Sequence, residues 1–519
     1  MRRATPVIVL SLTAIAGSLL YLGWSLHYGF LGFPLDDAWI HQTYARNLGQ
    51  HGQLAYNLGE PSVGSTSPLW TLLLAPVHSL GLDPRVWTYL LGGVLLFLTG
   101  WVSYRLASRL FPEGGLVPLV TGAFCVLEWH LVWASFSGME TMLFTLLSLL
   151  LMERCLAGEK AFVLGLMGGL LTVTRPEGAM LLVLVAFYTL WRRSWKDHNL
   201  NWSHAFKTLV LLVVGFALPA LPYLALNLRV SGNLFPNTFY AKQAEYGPAL
   251  ASIPIWMRWA RVAWATMIGA QILLIPGCLY AAYRSVTLRR PAMILPLAWW
   301  FVLVTLYAAR LPVTYQHGRY VIPAIPALLL LGVWGTKNLP RLHRVPRQAL
   351  LISIPLLLVI FWITGAQQYA AEVRIIDSEL KAAGIWLSDH TSSSALVGAH
   401  DIGAVGYFSQ RFLVDIAGLI TPDVIPFIRD EDRLTAFLEE EKVDYVVIFP
   451  SWYPIMAKDP RLSPVYRSAA PWIREAGGDN VVVYSTEWDL SRWPLIPAPD
   501  RAGGFALGLS CPVASENHW

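Results

Sequence analysis

FPLDDAWIHQTYARNLGQHGQLAYNLGEPSVGSTSPLW, residues 33–70, follows the first apolar run of the chain and contains two adjacent carboxylates near its start. These are Asp36 and Asp37, and the preceding apolar run predicts that a membrane span ends just before them. A charged side chain at the centre of a span costs about 2.5–3.5 kcal/mol on insertion scales, so charge at a span boundary indicates function. The alternative is structural, because Asp is a favoured N-cap and Asp36 could cap a helix that begins near Asp37.

The composition is that of a membrane protein. Of the 519 residues, 55% are hydrophobic and only 14% are charged, whereas soluble domains carry about 25% charged residues. Lys and Arg in predicted cytoplasmic loops explain the net charge of +5, so it requires no nucleic-acid partner. The four cysteines form neither a disulfide framework nor a metal-binding pattern. The apolar run at the N-terminus is too long for a signal peptide and predicts an uncleaved anchor.

Hydropathy predicts about eleven membrane spans, since about 20 apolar residues cross a bilayer. Segment 68–80 is too short to span and is predicted to dip into the interface within an external loop, 26–85. The distribution of Lys and Arg predicts an N-terminus inside, with the part after the last span outside. The spans lie near residues 5–25, 86–104, 115–134, 139–153, 160–174, 177–191, 207–227, 262–282, 291–309, 320–336 and 348–366.

The pattern changes after about residue 366. Residues 367–390 form an amphipathic helical pattern, and the short runs SALVGA, RFLVDIA, DYVVIF and NVVVYS are typical of buried strands. The tail after Leu495 is rich in Pro, Gly and Ala and is predicted to be irregular. The predicted fold class is therefore a polytopic α-helical membrane protein, with a transmembrane domain, 1–366, and a C-terminal extracytoplasmic α/β domain, 367–519.

Polar clusters on the predicted external side are the candidates for chemistry, because the sequence has no Walker loop, zinc spacing, GxSxG or GxGxxG motif. On a helix that begins near Asp37, His41 and Tyr44 share one face with this carboxylate. A carboxylate there could deprotonate a hydroxyl group, which contributes about 10²–10⁴-fold to a rate. The alternative is an amphipathic interfacial helix with a charged face.

Small hydroxyl residues and a further carboxylate come next along the chain. Ser65 and Thr66 of GSTSPLW could hydrogen-bond a sugar or phosphate, or the segment could cap a helix that begins at Pro68. Glu140 of SGMET is either functional at the external end of a span or a helix-start carboxylate favoured by the dipole. Arg175 of TRPEG either binds substrate or pairs with Glu177 across a proline turn.

Basic residues recur near predicted external boundaries. Lys242 follows two aromatic residues in NLFPNTFYAK, and His317 and Arg319 precede a span in YQHGRY. Arg can bind a phosphate through a bidentate fork, although interfacial anchoring is the alternative. The motifs HDIGAVGYF and VDIAGL each place an Asp beside Gly at the end of an apolar run. That position suits a ligand site at a strand end, but turn chemistry is the favoured interpretation.

In this order and spacing the motifs resemble the GT-C superfamily of membrane glycosyltransferases, which use polyprenyl-phosphate sugars. The resemblance covers most of the chain and is strongest for the bacterial branch that includes cell-wall arabinofuranosyltransferases. It implies a helical GT-C core, an active site at the external face, and transfer with inversion from a polyprenyl-phosphate sugar to a hydroxyl of an envelope glycan or lipid. The residues that carry it are LDDAWIHQTYARNL, HGQLAYNLGEPSVGSTSPLW, SGMET, TRPEG, NLFPNTFYAK, HGRYVIP and VDIAGL.

The resemblance also implies roles for single residues. The catalytic base lies in the pair Asp36 and Asp37, with Asp36 favoured because it is nearer the span. Lys242, His317 and Arg319 match positions near the donor phosphate. No second acidic cluster matches the metal site of oligosaccharyltransferases, so neither a metal ion nor another cofactor is predicted. The remaining candidates are Arg175, Tyr44 and Arg46 for donor binding, and Ser65, Thr66 and Glu140 for the acceptor or the loop.

Two other functions remain open from the sequence. A transporter or flippase of lipid-linked sugars predicts repeated halves and broken helices near the midplane, and the sequence shows neither. A non-catalytic envelope-assembly protein would use its external domain to bind a partner. Under all three hypotheses the chain is a multi-pass protein of the cytoplasmic (inner) membrane, in contact with lipid and not with nucleic acid.

Overall fold

The computed structural model describes residues 4–197, 202–287, 290–339, 344–475 and 477–488. Helices fill most of these ranges, and five strands lie near the C-terminus. The helices are α1 (Ala4–His27), α2 (Asp37–His51), α3 (Pro68–Ser79), α4 (Pro84–Leu110), α5 (Val117–Leu127), α6 (Trp129–Phe136), α7 (Thr141–Ala157), α8 (Ala161–Thr174), α9 (Gly178–Asp197), α10 (Trp202–Ser231), α11 (Asn237–Glu245), α12 (Gly247–Ser252), α13 (Ile255–Ala265), α14 (Ile275–Thr287), α15 (Ile294–Arg310), α16 (Tyr315–Gly318), α17 (Ile325–Asn338), α18 (Arg344–Ile376), α19 (Ala382–His390), α20 (Gly403–Ser409), α21 (Glu431–Glu440) and α22 (Pro471–Glu475). The strands are β1 (Leu396–Ala399), β2 (Phe412–Asp415), β3 (Tyr445–Ile448), β4 (Leu462–Arg467) and β5 (Val482–Thr486).

The apolar helices make this chain a multi-pass membrane protein. Within the described residues, five helices are long and apolar enough to cross a membrane, or up to seven if each of two bent pairs is one span. The predicted count of eleven is therefore not confirmed. The five are Thr5–His27, Pro84–Leu110, Trp202–Ser231, Tyr315–Asn338 and Gln348–His390.

Two predicted continuous spans, 115–134 and 262–282, are broken. α5 and α6 meet at an angle of 51°, and α13 and the helical stretch from Ala270 to Thr287 meet at 106°. At the first break the Glu128 carboxylate accepts the backbone N–H of Leu131 at 3.0 Å and so starts a new helix. The side-chain amide of Gln271, from the second break, donates to Glu128 at 3.2 Å. A polar contact between distant segments thus stabilises both breaks.

Close helix crossings hold the helical part together. α14 and α17 cross where Gly277 faces Gly335, and a Cβ atom added to Gly335 would overlap the carbonyl of Gly277. Small residues at such crossings let backbones approach closely, which is how helices associate in a membrane.

We expect Gly335→Val to lower the melting temperature of the protein, because the larger side chain must push α14 and α17 apart. Melting temperature in detergent is the measurement, and Gly23→Val on α1 is the control, since a Cβ atom there meets nothing within 4 Å. Equal melting temperatures for both variants would show that this crossing has no special role.

The last long helix runs directly toward the sheet. α18 continues through a π-helical turn, Asp377–Lys381, into α19 without a break. The domain boundary predicted at residue 366 falls inside this helical stretch, and the division of the chain into two domains stays a prediction. The predicted irregular tail after Leu495 lies outside the described residues.

The sheet has the order β2-β1-β3-β5-β4, with β1 parallel to both β2 and β3. The four predicted strand runs are confirmed as β1, β2, β3 and β5. β4 was not predicted, because it contains Pro464 and is mostly exposed, which is typical of an edge strand. The carboxyl ends of the parallel strands form one edge, where sheets of this kind bind ligands.

Candidate active site

The acidic pair, Asp36 and Asp37, is the first part of the site along the chain. Asp37 opens α2, and its Oδ2 accepts a hydrogen bond from Arg319 Nη2, which also donates to the Tyr320 hydroxyl at 3.0 Å. Arg319 is 3% exposed, and within the described residues its Nε and Nη1 are buried without a hydrogen-bond partner. Buried donors normally have partners. Arg319 therefore has hydrogen-bonding capacity left for an anion beside Asp37.

A strained turn presents Arg319. Gln316, His317 and Gly318 all have left-handed backbone conformations, with φ of 53°, 59° and 64°, which non-glycine residues rarely adopt. His317 Nε2 lies 2.7 Å from Glu372 Oε1, and the ring packs edge-on against Trp133. His317 thus anchors the turn to α18, whereas the sequence had placed it beside Arg319 at the donor phosphate.

Lys242 of α11 supplies a second cation. Within the described residues its amino group has no hydrogen-bond or ion-pair partner, and burial opposes its charge, but neighbouring Tyr315, Tyr320 and Asp37 raise its pKa. The effect on Asp37 is reciprocal. Burial raises the pKa of Asp37, but Arg319 and Lys242 outweigh burial and hold this pKa well below its usual range. Asp37 is therefore ionised between two cations.

A buried ion network borders the same face of α2. His41, four residues after Asp37, places its Nε2 3.2 Å from Glu140 Oε2, and Arg175 Nη1 lies 3.7 Å from Glu140 Oε1. Arg175 also donates to the Tyr307 hydroxyl at 2.8 Å. Its guanidinium lies 5.0 Å from the centre of the Tyr320 ring. The motifs LDDAWIH, SGMET, TRPEG and HGRY thus meet in one place.

Asp36 has a different role from Asp37. Its two carboxylate oxygens accept the backbone N–H groups of Gly403 and Ala404, each at 2.7 Å, at the start of α20. A Cβ atom on Gly403 would overlap the backbone of Asp36, so the two segments are in direct contact. Burial and the charge of Asp401 raise the pKa of Asp36. Both oxygens of Asp36, which the sequence favoured as the base, are therefore engaged in holding α20.

We expect Asp36→Ala to weaken the attachment of α20, because two backbone N–H groups lose a carboxylate acceptor. Hydrogen bonds to charged groups contribute about 1.5–3 kcal/mol each. Limited proteolysis of the purified protein is the measurement, with faster cleavage expected around residues 400–410. The matched control is Asp389→Ala, at an exposed position on α19. Identical cleavage patterns in the two variants would exclude an anchoring role for Asp36.

Two of the predicted donor-binding residues, Tyr44 and Arg46, make contacts within the protein. The Tyr44 hydroxyl lies 2.7 Å from Ser62 Oγ and accepts the backbone N–H of Gly64 at 2.9 Å. Arg46 Nη1 donates to the backbone carbonyl of Tyr407 at 2.8 Å and stacks on the Tyr407 ring. Tyr44 therefore stabilises the loop after α2, and Arg46 joins α2 to α20.

The hydroxyl-rich loop is mostly engaged in its own structure. Ser65 Oγ lies 3.1 Å from Thr71 Oγ1 on α3, whereas Thr66 is half-buried and makes no side-chain hydrogen bond within the described residues. α3 begins at Pro68, as the capping alternative predicted, but Ser67 makes no side-chain capping bond.

Asp415 of VDIAGL accepts the N–H groups of Ala417 and Ile420 at 2.7 and 2.9 Å, which is turn chemistry.

In the described ranges, no group of three or more His, Cys, Asp or Glu side chains is placed to hold a metal ion. Asp401 of HDIGAVGYF, which the sequence marked at a strand end but assigned to turn chemistry, lies near Asp37. The sequence missed Glu245, whose charge acts on both Asp401 and Lys242.

Comparison with solved structures shows the fold. The chain is similar to ArnT from Cupriavidus metallidurans, with 15% identity over 92% of this chain and 98% of that chain and a TM-score of 0.56. It is also similar to the oligosaccharyltransferase of Archaeoglobus fulgidus, with 11% identity over 95% of this chain and 75% of that chain and a TM-score of 0.60. The chain therefore shares the fold of these two structures, as the resemblance of its motifs to the GT-C superfamily predicted.

The other comparisons add less. Arabinofuranosyltransferase AftD from Mycobacteria matches with 16% identity over 92% of this chain and 41% of that chain, at a TM-score of 0.46, which does not single out that branch. A family model described as a domain of unknown function (DUF8728) matches residues 359–487, the end of α18 and the sheet region. No curated protein matches the chain significantly.

Proposed function

We propose that this protein is an inverting glycosyltransferase that moves a sugar from a polyprenyl-phosphate donor to a hydroxyl of an envelope glycan or lipid. One observation carries the proposal: the Asp37 carboxylate contacts Arg319, two of whose buried nitrogens have no partner among the described residues, and Lys242 acts on the same carboxylate. A base next to two cations is what transfer from a phosphate-linked sugar requires.

The cations would hold the phosphate of the donor. Arg319 can offer two N–H groups to phosphate oxygens in a fork, and Lys242 adds a second charge. Negative charge grows on the phosphate as the sugar leaves, and these donors would stabilise it. Proteins of the same fold support a lipid-phosphate ligand, since ArnT was solved with undecaprenyl phosphate and the archaeal oligosaccharyltransferase AglB with a dolichol-phosphate.

Asp37 would deprotonate the acceptor hydroxyl. In the free protein its pKa is low because Arg319 and Lys242 stabilise the carboxylate, and a low pKa makes a weak base. A bound phosphate would neutralise part of that positive charge and raise the pKa of Asp37. Donor binding would therefore activate the base, so that protons are removed only when a sugar is ready for transfer.

The membrane arrangement follows from the charge of the loops. The N-terminus lies inside and the acidic pair and the sheet region lie outside the inner membrane, by the distribution of Lys and Arg. We propose a transfer step that uses no metal ion, as the sequence predicts.

A transporter of lipid-linked sugars is the second candidate, and one observation favours it. Two spans are broken, and their breaks meet at Glu128 and Gln271, which is a feature of transporter binding sites. The sequence had shown no such breaks. However, Asp37 and Arg319 form a second polar cluster, apart from the one at Glu128 and Gln271. A transporter that binds its substrate at the helix breaks does not need this second cluster.

The two functions differ in what becomes of the donor. The test uses purified protein in liposomes with a panel of radiolabelled polyprenyl-phosphate sugars and octyl glycosides as acceptors. A transferase releases polyprenyl phosphate and labels the glycoside. If the donor stays intact but crosses the bilayer, the protein is a transporter and the transferase proposal is wrong.

A further inference from the structure

A carboxylate outside the proposed transfer chemistry lies at the edge of the sheet. Asp401 stands between β1 and α20, at the carboxyl end of a strand that is parallel to both its neighbours. This edge is where such sheets bind ligands. Asp401 is half-buried, and it makes no hydrogen bond or ion pair with the part of the chain that the structure describes. Its oxygens are therefore available to a ligand.

The Asp36 contact places Asp401 beside the proposed base. Asp36 accepts hydrogen bonds from the N–H groups of Gly403 and Ala404. Asp37 follows Asp36 directly, and Asp401 precedes Gly403 by two residues. Both carboxylates are therefore next to the contact between these two segments. The charge of Asp37 also acts on Asp401. Burial, followed by the negative charges of Asp37 and Glu245, raises the pKa of Asp401 to about 7.

Charges of opposite sign reach Asp37 from two parts of the chain. Arg319 and Lys242 offer positive charge from the helical part, whereas Asp401 offers a carboxylate from the sheet region. A phosphate is repelled by a carboxylate, so the donor belongs with the cations. A neutral group with several hydroxyls suits Asp401, because a carboxylate accepts several hydrogen bonds. The exposed ring of Trp452, 5.3 Å from the His400 ring, adds an aromatic surface next to it.

We propose that Asp401 binds the acceptor sugar, by accepting hydrogen bonds from hydroxyls that neighbour the one attacking the donor. This inference rests on the proposed transferase function. Asp37 then acts on one hydroxyl while Asp401 fixes the ring, so the sheet region selects the acceptor and the helical part binds the donor.

The experiment measures binding of an octyl glycoside without donor, so that it does not depend on turnover. The glycoside is the one that wild type binds most tightly in a fluorescence titration, and it is compared with its analogues that lack one ring hydroxyl each. We expect Asp401→Asn to raise the Kd for the parent glycoside about tenfold or more at pH 8, where the Asp401 carboxyl is ionised, because hydrogen bonds to a charged group are lost. Asp423→Asn, at an exposed position in the same region, is the control and should bind as wild type does.

The deoxy analogues distinguish contact from structural damage. For at least one analogue, the difference in Kd between wild type and Asp401→Asn should shrink, because one partner hydroxyl is already absent. Wild type alone should lose about the same affinity for that analogue, which tests the contact even if the variant does not fold. Unchanged binding in Asp401→Asn, or a full penalty with every analogue, overturns the inference. Because no donor is present, a failure of sugar transfer in the liposome assay is a separate result that bears on the proposed function alone.

Discussion

Asp37→Asn should lower kcat for sugar transfer by about 10²–10⁴-fold, the range that a general base contributes. The amide has the size of the carboxylate and keeps an oxygen to accept the bond from Arg319, but it cannot take a proton. The loss should therefore appear in kcat, with a smaller change in KM for the donor. Initial rates of labelled glycoside formation, with protein in liposomes, measure it.

Asp389→Asn serves as the control, because Asp389 is exposed on α19 and lies outside the acidic pair. It should transfer at the wild-type rate. If Asp37→Asn also transfers at the wild-type rate, Asp37 is not the base. Asp36→Asn could not replace this control, since Asp36 holds the start of α20 and its loss would combine two effects.

Arg319→Gln should have the second largest effect, a loss of about 10²–10³-fold in kcat, comparable to removal of one transition-state donor. It also changes the base. Without Arg319, burial raises the pKa of Asp37 with less opposition, so the carboxylate takes up a proton at higher pH. Activity requires the deprotonated form. The acid limb of the pH–rate profile should therefore move to higher pH, which rate measurements between pH 5 and 9 would show.

Two comparisons make this result specific. Arg319→Lys keeps a charge but cannot form a fork, so it should recover only part of the rate. Arg310→Gln removes an exposed arginine at the end of α15 and should leave both rate and profile unchanged. A wild-type profile for Arg319→Gln would mean that this cation neither supports the phosphate nor controls Asp37.

Hydropathy alone located the spans that stay continuous. The runs 5–25, 86–104 and 207–227 correspond to α1, α4 and α10. It could not locate the break at Glu128, because a window average hides one carboxylate. The hydrogen bond that stabilises this break is also non-local, because its donor, Gln271, lies 143 residues after Glu128 in the chain.

The candidate site was also predictable only where local sequence determines the contacts. Helical periodicity correctly placed His41 on the side of Asp37, where it meets Glu140. Tyr44 was placed on the same face, but at seven residues it lies about 10 Å further along the helix and meets Ser62 instead. Nothing local distinguishes Asp36 from Asp37, because their roles depend on Gly403 and Arg319.

The positions of the two partners of the acidic pair also determine when, during synthesis of the chain, the site can form. Asp36 and Asp37 leave the ribosome early, but Arg319 follows Asp37 by 282 residues and Gly403 follows Asp36 by 367. Until then, the nascent chain carries two carboxylates without their partners next to its first span. Contacts so far apart in sequence form slowly. The site is therefore completed late in translation, and a chain released before residue 404 would reach the membrane with its acidic pair unorganised.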